Sequence, residues 1–457
     1  MGIVMQKYRG IIYVLILLLV FSIVYWIYVY NALHQPGTPV EQDIFSFEEP
    51  RIRVRIINSL SSIHINFNDK WHITTGDRKT ATDAEKGSRL TVETEKSQLI
   101  LRGGAHAAIV QSDSIKMSSS TRFGELEIEG VPFGIGWWWG GRENRKYSGD
   151  ISFYPLADGN IEVVIDVLLE DYLCGVVPYE MGADSPIAAL QAQAVAARSE
   201  AVMALRSAVY SGPHYDLTSD VECQVFAGNN KRTKKSDTAV KMTQGIVLFA
   251  NEKPMHAYYS SNCGGHSEKI ENVWPDRKRP LPYQNGYFDS KNIYPVDLSS
   301  EKLISRWLAS RPDVYCNPDF NPQLPEWSAK NFRWSQSFST AALTRLIARN
   351  KDIGNLIEIK PLNRGVSGRI SHVQFIGTKD TLDVQSELAI RQIWQPPLRS
   401  ACFTANKKDG YFILNGAGWG HGVGMCQSGA ISQANQGISF EDILMQYYRG
   451  AHLKQVY

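Results

Sequence analysis

The chain has 457 residues, 43% hydrophobic and 21% charged, with 48 lysines and arginines against 46 aspartates and glutamates and a formal net charge of +2. This is the composition of a folded protein, and so even a balance gives no global field for seizing nucleic acid, which is excluded as a partner class. The six cysteines are too few and too scattered for a small disulfide scaffold.

Lys7 and Arg9 precede an uncharged run from Ile11 to Tyr30, which matches the roughly 20 residues a helix needs to cross a bilayer. Tyr25, Trp26, Tyr28 and Tyr30 cluster at its far end as an interfacial belt, and the basic residues on the near side predict an internal N-terminus. The run is longer than the apolar core of a signal peptide, and no small-x-small cleavage site follows it. The reading is a cytoplasmic tail over 1–10, a single transmembrane anchor over 11–30 and a spacer over 31–50 with Pro36, Gly37 and Pro39. The rest of the chain is then extracytoplasmic, in a periplasm or facing the wall, and attached to the cytoplasmic membrane.

Residues 51–160 read as a β-rich region, because RIRVRIIN, LTVETEKSQLILRG and GELEIEG alternate polar and apolar residues. Trp137, Trp138 and Trp139 follow one another between glycines there, and packing in a buried or interface cluster ranks ahead of sugar stacking. DISFYPLADGNIEVVIDVLLEDYL is a hairpin turning at Asp158 and Gly159, and it delivers the chain into LEDYLCGVVPYEM (Leu169–Met181). The reading places Glu180 at a strand-to-helix junction, beside Val177, Tyr179 and Met181. A glycosidic oxygen leaves poorly unless protonated, and a carboxyl in a partly apolar corner keeps its proton near neutral pH. By spacing alone, such a glutamate is more often a solvated or capping residue.

Asp184 and Ser185 as caps, with Pro186 in the first turn, predict a helix from Pro186 to Ala208. Its many alanines allow close approach to a neighbour. Gln191 and Arg198 lie seven apart and share a face, which makes them candidate substrate contacts or a surface stripe. Further on, Cys263 in HAYYSSNCGGHSEK has His256 seven before it and His266 three after. With Cys223 these form a two-cysteine, two-histidine set suited to a structural zinc, and disulfides or free buried thiols fit the same residues. No cofactor is needed for the chemistry itself.

Residues 275–334 are rich in loops and proline and read as an insertion with one short helix near Ser299 to Ser310. A helix is predicted over Thr340 to Arg349, before GRISHVQFIG and TLDVQSELAIRQIW resume strand and helix patterns. In GAGWGHGVGMCQSGA, Gly416, Gly418, Gly420, Gly422 and Gly424 surround Trp419 and His421 and precede Gln427. The backbone must turn tightly or approach a ligand closely there. His421 is a candidate for the site, with a buried structural histidine as the alternative. Regular βαβ alternation is missing over 161–457, so the class is α+β.

At these residues the chain resembles the SpoIID/LytB family, which includes a sporulation-associated peptidoglycan lytic transglycosylase and related amidase enhancers. The resemblance runs from PRIRVRI through LEDYLCGVVPYEM and PIAALQAQAVAARSEAV to ECQVFAG, HAYYSSNCGGHSE, GVSGRISHVQFIG, GWGHGVGMCQSGA and ISFEDILMQYYRGAHL. It implies a mixed α/β SpoIID-like catalytic domain over 161–457 and assigns Glu180 as the catalytic acid, with Tyr179 where a small residue often stands. It also places His421 and Gln427 in a groove-lining loop and Tyr447 or Tyr448 beside it. Family members with zinc take ligands partly from the segment before Cys-Gln; this chain keeps Cys223 there, beside Thr218 and Glu222. The implied reaction is cleavage of the MurNAc–GlcNAc bond in peptidoglycan glycan strands, leaving 1,6-anhydro-MurNAc ends. A second carboxylate is not obligatory, so Glu170 and Asp171 fall to structure. The alternative role is a non-catalytic glycan binder that enhances a cell-wall amidase.

Overall fold

In the computed structural model, which describes residues 48–76, 81–103, 107–121, 123–137, 139–277, 281–292, 294 and 297–457, the period-2 segments pair as two antiparallel-rich sheets. The first contains β1 (Arg51–Leu60), β3 (Trp71–Thr75), β4 (Ala81–Ala84), β8 (Ile115–Ser119), β11 (Asp150–Pro155), β12 (Ile161–Leu168) and the two-residue β13 (Leu217–Thr218). Its order is β13-β1-β12-β11-β8-β3-β4. The second contains β2 (Ser62–Phe67), β5 (Arg89–Glu95), β6 (Gln98–Gly103), β7 (Ala107–Ser112), β9 (Leu126–Phe133) and β10 (Gly141–Tyr147), in the order β10-β9-β2-β5-β6-β7. Alternation decides which side chains enter the shared core: Ile63, Ile65 and Phe67 of β2 point inward with Ile52 and Val54 of β1. The expected Asp158–Gly159 hairpin joins β11 to β12, with Gly159 at φ 82°.

Strand β12 is buried along nearly its whole length and runs straight into helix α1 (Leu169–Met181). Next come α2 (Ile187–Ser207) and α3 (Lys234–Met242). Helix α2 packs against α1, α3, the strand Ile246–Ala250 and the C-terminal helices Gln427–Asn435 and Phe440–Tyr447. Ala189, Ala192, Ala194, Ala196, Ala197 and Ala201 have no exposure, and such small side chains let this many neighbours approach one helix.

The predicted helices near 299–310 and 340–349 form as Glu301–Ala309 and Thr340–Ala348, capped by the Ser300 and Ser339 side chains. A second core, centred on Trp334, Phe375, Trp394 and Phe403, lies within residues 334–414. In the tryptophan tract, the half-buried Trp139 stacks on Phe133 at 6.2 Å, and Arg391 lies over the half-buried Trp137. Trp138 lies outside the described residues.

Three expectations are corrected. Among the described residues no helix is long and apolar enough to cross a membrane, so a fold led by a single transmembrane helix is not supported. The longest helix described, the 21-residue α2, carries Arg198, Glu200 and Arg206 and is covered by protein; segment 11–30 lies outside the described residues. Secondly, Glu180 is in the last turn of α1, because LEDYLCGVVPYEM is helical throughout. Thirdly, Asp184 and Ser185 do not cap α2: Pro186 holds that position without a side-chain bond, and Ser185 Oγ donates back to Met181 O at 2.6 Å.

Candidate functional site

Glu180 is presented by the C-terminal turn of α1, which Gly182 ends at φ 79°. Its Oε1 accepts the N–H of Val225 at 3.1 Å, and its Oε2 accepts Gln427 Nε2 at 3.3 Å. The same Gln427 nitrogen gives its second proton to Gln193 Oε1 at 3.2 Å. The Tyr259 hydroxyl faces the carboxyl as well, and it donates its proton to Gln224 Oε1 at 2.7 Å. Burial is the largest influence on the carboxyl and raises its pKa above the ordinary glutamate value, against the opposing bonds from Val225, Gln427 and Tyr259.

Five chain segments therefore converge on one protonatable group: α1, the α2 face bearing Gln193, the 224–225 loop, the segment of Tyr259 and that of Gln427. The last two are held together by parallel pairing of Tyr259 with Met425 and Ser260 with Cys426. In the loop before Gln427, Gly424 has φ 74°, and a Cβ there would stand 2.0 Å from the Tyr258 carbonyl. That is why this stretch is rich in glycine.

The other predicted residues divide. His421 lies in the same loop, 5.0 Å from the Trp274 ring, and its Nδ1 accepts the N–H of Val423 at 3.0 Å. Burial, with Arg391 and Arg369 nearby, pushes its pKa down to about 3, so it is a neutral imidazole. Gln191 and Arg198 do share a face of α2, as their spacing requires, but that face meets α3 and the 246–250 strand. Gln191 Nε2 approaches Met242 Sδ at 3.8 Å. Arg198 is fully buried, forms a two-pronged ion pair with Glu170 at 2.7 Å per bond, and donates to the carbonyls of Ile246 and Val240. It is a structural residue, and so is Glu170. Tyr447 donates to Asp289 Oδ1 at 2.6 Å, while Tyr448 donates to the Tyr258 carbonyl at 2.9 Å; both are enclosed beside the loop.

Sequence reasoning missed Gln193, Gln224 and Tyr259. Gln193 and Glu200 are themselves seven apart on α2, and Glu200 accepts the N–H of Ala257, next to the Tyr259 segment. Seven-residue spacing thus selects two faces of α2, and the face with Gln191 and Arg198 points away from Glu180.

The predicted zinc set is not gathered. His256 Nδ1 faces Glu200 at 3.3 Å, His266 Nδ1 bonds the Ser267 carbonyl at 2.6 Å, and burial raises the Cys223 thiol to about 12. The family's zinc position before Cys-Gln does not fit either, since only Cys223 supplies a soft donor among Thr218, Glu222 and Cys223. A cavity of about 420 Å³, lined by Arg51, Glu125, Asp166, Asp171 and Arg232, opens at the other end of α1, about 14 Å of helix rise from Glu180.

A single carboxyl, fed by amide and backbone donors and bordered by a glycine-rich loop, is thus built from segments far apart in the chain. Comparison with known proteins gives the family. Residues 157–249 match the SpoIID family, described as stage II sporulation protein, and residues 268–424 match a domain of unknown function, DUF8618. An uncharacterized protein of Brachyspira hyodysenteriae is 30% identical over 67% of this chain and 72% of its own length. The stage II sporulation protein D of Bacillus amyloliquefaciens is 28% identical over 67% of this chain and 78% of its own. The amidase enhancer of Bacillus subtilis is 28% identical over 62% of this chain but only 40% of its own length. The chain belongs to the SpoIID/LytB family, and its function is cell-wall related.

Proposed function

We propose that this protein is an extracytoplasmic lytic transglycosylase of peptidoglycan glycan strands, with Glu180 as its one acid and base. The observation that carries the reading is the Glu180 carboxyl held by Gln427 and Val225, its pKa raised by burial. Glu180 gives that proton to the glycosidic oxygen as the C1–O bond between MurNAc and GlcNAc breaks. The resulting carboxylate takes the proton of the muramoyl C6 hydroxyl, whose oxygen closes on C1 to form the 1,6-anhydro end. The nucleophile belongs to the substrate, so this route needs no second protein carboxylate, unlike the two-carboxylate glycosidases. Gln427 and Gln193 hold the carboxyl in place, and neutral His421 and Trp274 offer a surface for sugar at the loop.

The test is digestion of purified glycan strands lacking stem peptides, with anhydro ends read by mass spectrometry. Glu180→Gln should cut at least about 10²-fold more slowly than the parent. Equal rates would remove the acid from its role.

A second reading is favoured by the Glu180 carboxyl itself, both of whose oxygens are already bonded, and by the likeness to the amidase enhancer of Bacillus subtilis. In it the protein binds glycan and stimulates a cell-wall amidase without cutting. Amidase stimulation that persists in Glu180→Gln, with no anhydro ends from the parent, selects this reading.

A further inference from the structure

Away from Glu180, three cysteines distant in sequence meet one carboxylate. Cys263 follows the Tyr259–Ser260 pairing, Asp289 and Cys316 come from the loop-rich segment 275–334, and Cys426 sits immediately before Gln427. All four are at most 3% exposed, and one ligand atom from each lies within 4.8 Å of all the others. No other group of three or more histidine, cysteine and carboxylate side chains gathers this way among the described residues.

The spacing distinguishes the chemistries open to these thiols. Cys263 Sγ and Cys316 Sγ are 3.8 Å apart, well beyond the bonded separation of about 2.05 Å in a disulfide. A tetrahedron of sulfurs at the zinc–thiolate distance of about 2.3 Å has edges of roughly 3.8 Å. The surrounding polar groups are arranged for anionic ligands. Cys426 Sγ accepts the N–H of Cys263 at 3.2 Å, and Cys263 Sγ accepts the N–H of Gly265 at 3.3 Å. Asp289 is oriented by the N–H of Cys316 at 3.1 Å and by the Tyr447 hydroxyl at 2.6 Å. Outer hydrogen bonds of this kind fix the ligands of metal sites. Room is kept for the cluster at Gly429, where a Cβ would stand 2.6 and 2.7 Å from the Asp289 oxygens and 2.0 Å from Tyr447 Oη.

Electrostatics supply the missing member. No ion pair to Asp289 occurs among the described residues, and a carboxylate this deeply buried without a cation is costly. A divalent ion would supply that charge and draw the thiols in as thiolates.

We propose that Cys263, Asp289, Cys316 and Cys426 bind one structural zinc ion. Three thiolates and one carboxylate complete a four-coordinate shell with no open position, which is the pattern of a structural rather than a catalytic zinc. The ion ties segment 275–334 to the loop that ends in Gln427. Through that residue it fixes the amide that donates to Glu180.

The experiment is elemental analysis of the full chain, purified without added metal, followed by exchange of the bound ion for cobalt(II). The expected result is one zinc per chain and, after exchange, strong thiolate-to-cobalt charge-transfer absorption. Cys316→Ser and Asp289→Asn should lose the metal, and Cys223→Ser should keep it. Metal-free protein would overturn the proposal, whether its thiols react freely or Cys263 and Cys316 are joined in a disulfide seen by mass. Metal lost from Cys223→Ser but retained in Cys316→Ser would also overturn it. If the variants do not fold, the parent's stoichiometry and cobalt spectrum decide alone. A cobalt spectrum without thiolate bands refutes the ligand set.

Discussion

Exchanging Arg198 for methionine separates the two roles its position on α2 allows. The guanidinium is fully buried, donates to both Glu170 oxygens at 2.7 Å, and also holds the carbonyls of Ile246 and Val240 at 3.1 and 3.4 Å. Methionine fills most of that volume but strands the Glu170 carboxylate, whose remaining donors are the Tyr457 hydroxyl and the N–H of Gly245. Breaking one side of a buried pair costs about 3–5 kcal/mol. Glu170 is 14% exposed and keeps those two donors, which sets the expectation at the lower end, about 3 kcal/mol. At about 1 °C per kcal/mol for a unit of this length, melting falls by roughly 3–4 °C. Thermal unfolding of Arg198→Met, of Glu170→Leu and of the double variant gives the coupling, and the double variant should recover most of the loss because no charge is left stranded. Glycan binding, measured where every variant is folded, should be unchanged. Unaltered melting together with lost glycan binding would move the guanidinium into the substrate groove and refute the reasoning.

The raised pKa of Glu180 has a defined sign in a stability titration. The folded state holds the proton more tightly than the unfolded state, so its contribution is complete below the ordinary glutamate pKa and is lost as pH rises through the folded value. Denaturant curves from pH 4 upward should show this loss in the parent and not in Glu180→Gln; parallel curves for the two would count against the buried acid. Under the transglycosylase reading, strand cleavage declines on the alkaline side through the same ionisation. Gln427→Leu removes a bond that lowers the Glu180 pKa, so this alkaline limb should move to higher pH, with a stability loss of about 1–3 kcal/mol; a downward shift would contradict the assigned donor. Gly424→Ala meets both a φ of 74° and a carbonyl 2.0 Å away. It should cost at least about 1–3 kcal/mol, and a melting point equal to the parent's would show that the loop is not built as described.

Much of the fold is legible in local pattern because its elements carry their own signals. Period-2 alternation marked β1, β5, β6 and β9, the Asp158–Gly159 turn marked the β11–β12 hairpin, and serine caps marked the helices at 301 and 340. Glu180 and Gln427, 247 residues apart, were both singled out from motifs, and the structure joins them by a hydrogen bond. The segment 169–181 misled because Val176, Val177 and Pro178 look like the end of a strand, whereas the helix is kept by burial of Leu169, Tyr172, Leu173 and Val176. Tertiary packing overrides such weak local preference.

The sequence by itself determined the strand and helix patterns, the glycine-dependent loop and the motif that carries Glu180, because each depends on residues close together in the chain. The tertiary structure decided which face of an almost wholly buried helix meets that acid. Periodicity states that Gln191 and Arg198 share one face and Gln193 and Glu200 another, and no local signal says which neighbour covers which. It likewise decided the company of the cysteines: His256 and His266 were near Cys263 in sequence, while Cys316 and Cys426, 53 and 163 residues away, are its neighbours in space. Long-range packing brings such side chains together, and it leaves no periodicity to read.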